Sequence, residues 1–293
     1  MPENTLPAFA YALGVGVTTL ELDCAITRDG VVVVSHDEAL NPDITRDAEG
    51  MWLERGGPPI WHLTYDALQR YDVGRIRPGS AYAARFPQQQ AVDGTRVPPL
   101  AEVFELARRA ENDTVRFNIE TKVSPLHPER TAAPEAFARK LIDTVRAANM
   151  ALRVTIQSFD WRTLKIVQQE APEIATVYLT ACQDFMDNIL ADAAKSPWTA
   201  GLHVRDFRSS IPRMVKAAGG AVWSPCYLEV TPENVREAHH LGLKVVVWTV
   251  NAEEDMRRMI DLAVDGIISD YPERLRTIAG ETGIALPRGT PVR

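Results

Sequence analysis

Val115-Arg116-Phe117-Asn118-Ile119-Glu120-Thr121, the amphipathic run Pro134–Asn149, and Arg153-Val154-Thr155-Ile156-Gln157-Ser158 form the stretch that decides the fold. Two short apolar, β-branched segments flank a segment of helix length. Such strand–helix–strand units pair their strands in parallel and lay the helix across the sheet. Working outward, the pattern repeats. Downstream come helix Trp161–Glu170, strand Thr176–Leu179, a helical region Asp184–Ala194 and helix Ile211–Ala218. Strand Ala221–Ser224, helix Pro232–Leu241, strand Lys244–Val250, helix Glu253–Leu262, strand Gly266–Ser269 and helix Glu273–Ile278 follow. Gly201–Val204 reads as a further short strand without a clear place.

Upstream, Leu100–Ala110 is a helix. Before it, Glu38–Pro99 is rich in Pro, Gly and Arg, with one helical piece near Tyr65–Tyr71, the pattern of a functional excursion over a scaffold. The chain opens with a helix capped by Asn4 or Thr5 and ending near Leu13, where Gly14 and Gly16 follow. Counting the next segment as one, seven strands centre near Leu22, Ile119, Ile156, Val177, Trp223, Val247 and Ile268. That is an α/β architecture one strand short of a (β/α)8 barrel, and the shortfall falls before the first helix. The expectation is one barrel domain over 1–293, with 38–99 inserted near the site and about 280–293 as a tail.

The second informative stretch is Glu21-Leu22-Asp23, then Asp29-Gly30, then Ser35-His36-Asp37. Residues i and i+2 of a strand share a face, so Glu21 and Asp23 aim their carboxylates at one spot. Asp29-Gly30 signals a two-residue hairpin turn. Paired positions then sum to 59, and His36 lies opposite Asp23. Asn118, Glu120 and Lys122 share a face of the next strand. In barrels of this kind the chemistry sits at the C-terminal strand ends, where these residues fall. Glu21, Asp23 and Glu120 offer three hard oxygen ligands and no thiolate, a set suited to Mg²⁺ or Ca²⁺. The blander reading of Glu120 and Lys122 is an ion pair at the barrel rim. Trp248 is either core or a surface for substrate. His62, His127, His203, His239 and His240 receive no role.

Composition narrows the function classes. The 293 residues are 45% hydrophobic and 24% charged, with a formal charge of −7. No basic run supports nucleic-acid binding. An acidic protein with an anionic substrate needs local positive charge or a metal at its site. The three cysteines have no CxxC spacing. No apolar run approaches the ~18 residues of a membrane span, and the chain as given carries no signal peptide. The compartment is cytoplasmic, or periplasmic if a segment precedes Met1.

The sequence resembles the glycerophosphodiester phosphodiesterase family at Pro2-Glu3-Asn4-Thr5, Glu21-Leu22-Asp23, Thr27-Arg28-Asp29-Gly30, Ser35-His36-Asp37, Ile119-Glu120-Thr121-Lys122, Trp248-Thr249-Val250-Asn251 and Asp265–Pro272. The resemblance implies a (β/α)8 barrel, a divalent metal and hydrolysis of glycerophosphodiesters to glycerol 3-phosphate and an alcohol. It matches Glu21, Asp23 and Glu120 to the metal carboxylates, His36 to one of two catalytic histidines and Lys122 to the basic residue near the phosphate. In the family a strand ending in His-Arg-Gly precedes the Pro-Glu-Asn-Thr motif, and this chain begins at that motif. Either the start is misplaced or clipped, or the protein is a variant with impaired hydrolysis. Three expectations follow: a metal-dependent glycerophosphodiesterase, a non-catalytic binder of metal and glycerophosphodiester, or a related barrel phosphodiesterase acting on phospholipids or lysophospholipids.

Overall fold

Thr5 begins the first helix. Its extended backbone and its hydroxyl, which accepts from the Ala8 N–H at 3.4 Å, cap α1 (Leu6–Val15), and Gly16 ends it at φ +89°. The computed structural model describes residues 1–54 and 56–292. Next come β1 (Thr19–Ile26) and β2 (Val32–Val34), then the short helices α2 (Tyr65–Leu68) and α3 (Ala81–Arg85). The regular alternation runs α4 (Leu100–Arg109), β3 (Arg116–Thr121), α5 (Pro134–Ala147), β4 (Val154–Ser158), α6 (Trp161–Glu170) and β5 (Ala175–Thr180). A small hairpin, β6 (Cys182–Gln183) with β7 (Met186–Asp187), interrupts it. The chain ends with α7 (Ile211–Ala217), β8 (Val222–Pro225), α8 (Pro232–His240), β9 (Lys244–Val247), α9 (Glu253–Asp261), β10 (Gly266–Ile267) and α10 (Pro272–Glu281).

The main sheet is ordered β10-β9-β8-β5-β4-β3-β1-β2. All neighbours run parallel except β1 and β2. This is the curled, mostly parallel α/β sheet of a barrel, with the seven parallel strands that the apolar segments predict. Among the described residues, β1 and β10 do not pair with each other. Alternation along each strand sorts the side chains. Leu20, Leu22 and Cys24, and likewise Phe117 and Ile119, join the buried cluster shared with the helices. α4 contributes Val103, Phe104 and Ala107 to it, and α5 contributes Phe137, Leu141 and Val145. Phe104 meets Phe117 edge to face at 4.9 Å, worth about 0.5–1.5 kcal/mol beyond the area buried. The intervening residues Glu21, Asp23, Asn118, Glu120 and Gln157 turn the other way, into the sheet's interior.

The excursion between β2 and α4 has its own apolar cluster. Leu40, Ile60, Leu68 and Val97 pack there against Ala25 and Val33 of the hairpin. Arg46 pairs with Asp72 and Asp93, and the backbone at Gly74 passes so close to Val92 that a Cβ would lie 1.9 Å from its carbonyl oxygen. Only glycine fits that crossing.

Three local readings are corrected. The hairpin pairs Cys24 with Val34, Ala25 with Val33 and Ile26 with Val32, so partners sum to 58 rather than 59. The Thr27 N–H bonds the Val31 carbonyl and Gly30 takes φ +81°, a three-residue loop ending in a left-handed glycine. Asp29 accepts from the Thr27 hydroxyl and the Tyr65 N–H, which stabilises that longer turn. Ser35 rather than His36 therefore bonds Asp23 across the pair. Second, 184–194 is not helical. Asp187 accepts from the Ile189 and Leu190 N–H groups, and buried Asn188 bonds Ala181, Phe159 and Leu179, so side chains capture the backbone groups a helix would use. Third, 201–204 is a turn leading into a 3₁₀ segment, Val204–Phe207, capped by His203.

Candidate active site

Parallel pairing sets the site. Glu21 lies beside Asn118, Asp23 beside Glu120, and Glu120 beside Gln157. Three adjacent strands thus present polar side chains at matched heights. Oxygens of Glu21, Asp23 and Glu120 lie within 4.8 Å of one another. Lys122 Nζ stands 3.1 Å from Glu120 and 3.6 Å from Asp23. The rim ion pair and the carboxylate cluster are therefore one constellation. Asp23 and Glu120 are 5% and 7% exposed.

The surrounding hydrogen bonds orient these groups. Gln157 Nε2 donates to Glu21 at 2.6 Å, and its Oε1 accepts from Asn118 at 2.6 Å. Asn4 Nδ2 donates to Asp23 Oδ2 at 2.8 Å, while Asn4 Oδ1 accepts from the Asp23 N–H at 3.1 Å. Tyr82, on α3 of the excursion, donates its hydroxyl to Glu3. Spacing gives no hint of Asn4, Glu3 or Tyr82 as neighbours of the carboxylates, because each contact spans 19 or more residues. Gln157 was legible only as a polar strand end.

Electrostatics follow from crowding. Burial, then Asp23 and Glu120, push the Glu21 carboxyl well above its usual range. Burial, against the opposing pull of Lys122, and the neighbouring Asp23 raise Glu120 to about 7. Burial also disfavours the Asp23 carboxylate, yet Lys122, His36 and the Asn4 amide outweigh it and hold Asp23 below its usual value. Lys122 and burial work against the His36 imidazolium, but Asp23 and Asp37 prevail and raise it to about 9. His36 Nδ1 lies 2.9 Å from Asp37, and the imidazole is 55% exposed, open to an incoming molecule. So His36 reaches the carboxylates electrostatically although the register does not place it opposite Asp23.

Trp248, just beyond β9, is half-buried. Its indole N–H donates to the Ser224 carbonyl at 2.9 Å, and its ring meets Phe159 edge to face at 5.3 Å. This pair follows β4 and β9, at the same end of the sheet as the carboxylates. Among the unassigned histidines, His239 bonds Asp265 at 2.9 Å, near the starts of β9 and β10 and away from the carboxylates. A cavity of about 380 Å³ lined by Arg208, Arg213, Glu229 and Glu237 contains none of the clustered carboxylates.

The donor set fits a hard divalent cation: three crowded carboxylates offset by one lysine, two of them raised in pKa. The sequence matches the Glycerophosphoryl diester phosphodiesterase family over residues 1–274. It is 31% identical over 284 residues to a glycerophosphodiester phosphodiesterase of Caldanaerobacter subterraneus subsp. tengcongensis, covering 97% of this chain and 94% of that protein. The crystal structure of a candidate glycerophosphoryl diester phosphodiesterase from Silicibacter pomeroyi superposes with a TM-score of 0.85 at 36% identity, covering 97% of this chain and 91% of that one. An Oleispira antarctica phosphodiesterase, solved in complex with the product sn-glycerol-3-phosphate, shares the fold with a TM-score of 0.67 at 20% identity, covering 95% and 92% of the two chains.

Proposed function

The chain belongs to the glycerophosphoryl diester phosphodiesterase family, and from that premise we propose that it hydrolyses glycerophosphodiesters to glycerol 3-phosphate and an alcohol with the help of a divalent cation. The observation that carries the reading is the meeting of Glu21, Asp23 and Glu120 within 4.8 Å, with Lys122 beside them and His36 at the rim.

In this reading Glu21, Asp23 and Glu120 hold Mg²⁺ or Ca²⁺. Such an ion offsets phosphate charge and lowers the pKa of a hydroxyl it touches. Lys122 faces the phosphoryl oxygens and stabilises charge that builds there. His36 moves a proton: Asp37, 2.9 Å from its Nδ1, favours the charged imidazole, which can donate to the departing alcohol oxygen. The substrate's own glycerol hydroxyl attacks phosphorus and gives its proton to solvent as the bond to the alcohol breaks and the alcohol takes a proton from His36. Neutral His36 then takes a proton from the water that opens the cyclic phosphate, and the freed ring oxygen takes one from solvent. Trp248 and Phe159 give the substrate a flat apolar wall. Gln157 and Asn4 keep Glu21 and Asp23 aimed inward.

The test is glycerol 3-phosphate release from glycerophosphocholine, glycerophosphoethanolamine and glycerophosphoglycerol by the purified chain, with added Mg²⁺ or Ca²⁺ and with chelator. Release that requires the cation and is lost in Glu21→Gln and His36→Ala is expected. No release from any of the three, or undiminished release in chelator, overturns the reading.

A further inference from the structure

We propose that Tyr82 is a positioning residue: through Glu3 and Asn4, the excursion's helix α3 holds Asp23 in the geometry that binds the cation. This rests on the cation site proposed above. The path is continuous. The Tyr82 hydroxyl donates to the Glu3 carboxyl, which shares a backbone segment with Asn4. Asn4 grips Asp23 twice, through its side-chain amide and through the Asp23 N–H.

A second observation explains why an anchor is needed. Asn4 has φ +52°, the left-handed region, which asparagine tolerates at a cost. Strained residues persist only where their surroundings over-determine them. Thr5 fixes the C-terminal side of Asn4, since its hydroxyl caps α1 and donates to the Pro2 carbonyl. Tyr82 fixes the N-terminal side at Glu3. Without that hold, Asn4 can relax and release Asp23 Oδ2.

The anchor itself is rigid. Ser80 caps α3 by accepting from the Ala83 N–H at 3.0 Å. The Tyr82 and Phe86 rings lie 5.2 Å apart, and the Arg85 guanidinium sits over both, at 5.5 and 5.4 Å. Burial raises the Glu3 carboxyl pKa, and the bond from the Tyr82 phenol works against that rise by favouring the carboxylate.

Tyr82→Phe keeps the ring and removes only the hydroxyl, so it isolates the latch. The experiment titrates wild type, Tyr82→Phe, Glu3→Ala, Glu3→Gln and the double variant Tyr82→Phe/Glu3→Ala with Ca²⁺ by calorimetry, without substrate, beside the glycerol 3-phosphate assay. Tyr82→Phe and Glu3→Ala are expected to weaken Ca²⁺ binding about tenfold, the usual effect of losing an outer support of a metal ligand. The double variant is expected to be no weaker than either single one. Glu3→Gln, which keeps an acceptor for the phenol, is expected to recover most of the affinity. In the assay, kcat at saturating cation stays near wild type while the cation midpoint moves. Unchanged Ca²⁺ affinity in both single variants, or additive losses in the double, overturns the proposal. A wild type that binds Ca²⁺ but releases no glycerol 3-phosphate overturns the hydrolytic reading alone, and the shift in affinity still decides the latch. A wild type that binds neither Ca²⁺ nor, in the same titration repeated with it, Mg²⁺ overturns both.

Discussion

Replacing Gln157 with leucine removes a side chain that bonds both Glu21 and Asn118. Leucine matches the volume closely and the position is buried, at 1% exposure. The loss strands two buried groups. Glu21 Oε1 loses a donor at 2.6 Å, and Asn118 Nδ2 loses its acceptor at 2.6 Å. Each stranded group costs about 1–3 kcal/mol, and the bond to Glu21 lies at the upper end where the carboxyl is ionised. Asn118 is not wholly abandoned, because its Oδ1 still accepts from Thr155 at 2.7 Å. Apolar burial of the leucine offsets about 1 kcal/mol. The net is a destabilisation of about 2–3 kcal/mol, or a melting temperature lower by roughly 3–5 °C for a chain of this length. The assay is thermal melting by circular dichroism in chelator and again in saturating Mg²⁺. A cation gives the stranded Glu21 oxygen a partner, so the deficit should narrow in Mg²⁺. A melting point in chelator within about 2 °C of wild type would refute the premise that these bonds hold the carboxylate cluster together.

Other outcomes follow from the same crowding. Glu21→Gln should raise the melting point of the cation-free protein, since it removes a carboxylate held well above its usual pKa while keeping an acceptor for Gln157, and it should abolish stabilisation by Mg²⁺; a lower melting point in chelator would contradict this. The His36 pKa is raised in the fold, so its contribution to stability is fully present below about 6.5 and is lost as pH rises through about 9. Urea midpoints of the chelated protein should therefore fall across that window, and His36→Asn should flatten the slope. Gly74→Ala forces a Cβ onto the Val92 carbonyl and should open the excursion to limited proteolysis within 38–99 while the barrel strands stay protected; an unchanged digestion pattern would count against it.

Much of this was legible in the chain, and the failures have physical causes. Strand identity came through because Phe117, Ile119 and Ile156 alternate with polar residues on strands packed against helices. The carboxylate cluster was legible because i, i+2 geometry is local and parallel strands repeat it: Glu21 and Asp23 on one, Glu120 and Lys122 on the next. The hairpin's register was not, since Asp29-Gly30 suits both a two-residue and a three-residue loop. The choice between them is made by Thr27 and by Tyr65, whose N–H arrives from a distant segment. The stretch 184–194 reads as a helix by its apolar spacing, yet Asp187 and Asn188 divert its backbone bonds. Tyr82 and Glu3 lie 79 residues apart in sequence, and no periodicity joins them.

The β1–β2 hairpin is a wall shared by two rooms. Cys24, Ile26, Val32 and Val34 face the barrel's apolar cluster, and Ala25 and Val33 face that of the excursion. The same strand carries Glu21 and Asp23. Change can therefore accumulate unevenly across the molecule. Side chains of the excursion that avoid Ala25 and Val33 are free to drift or be redesigned, Tyr82 and the Gly74 crossing excepted. The wall itself tolerates little, because a volume change on either side shifts the strand that aims the carboxylates. An engineer seeking new substrates would rebuild 38–99 around Ala25 and Val33, keep Tyr82 and Gly74, and leave the hairpin untouched.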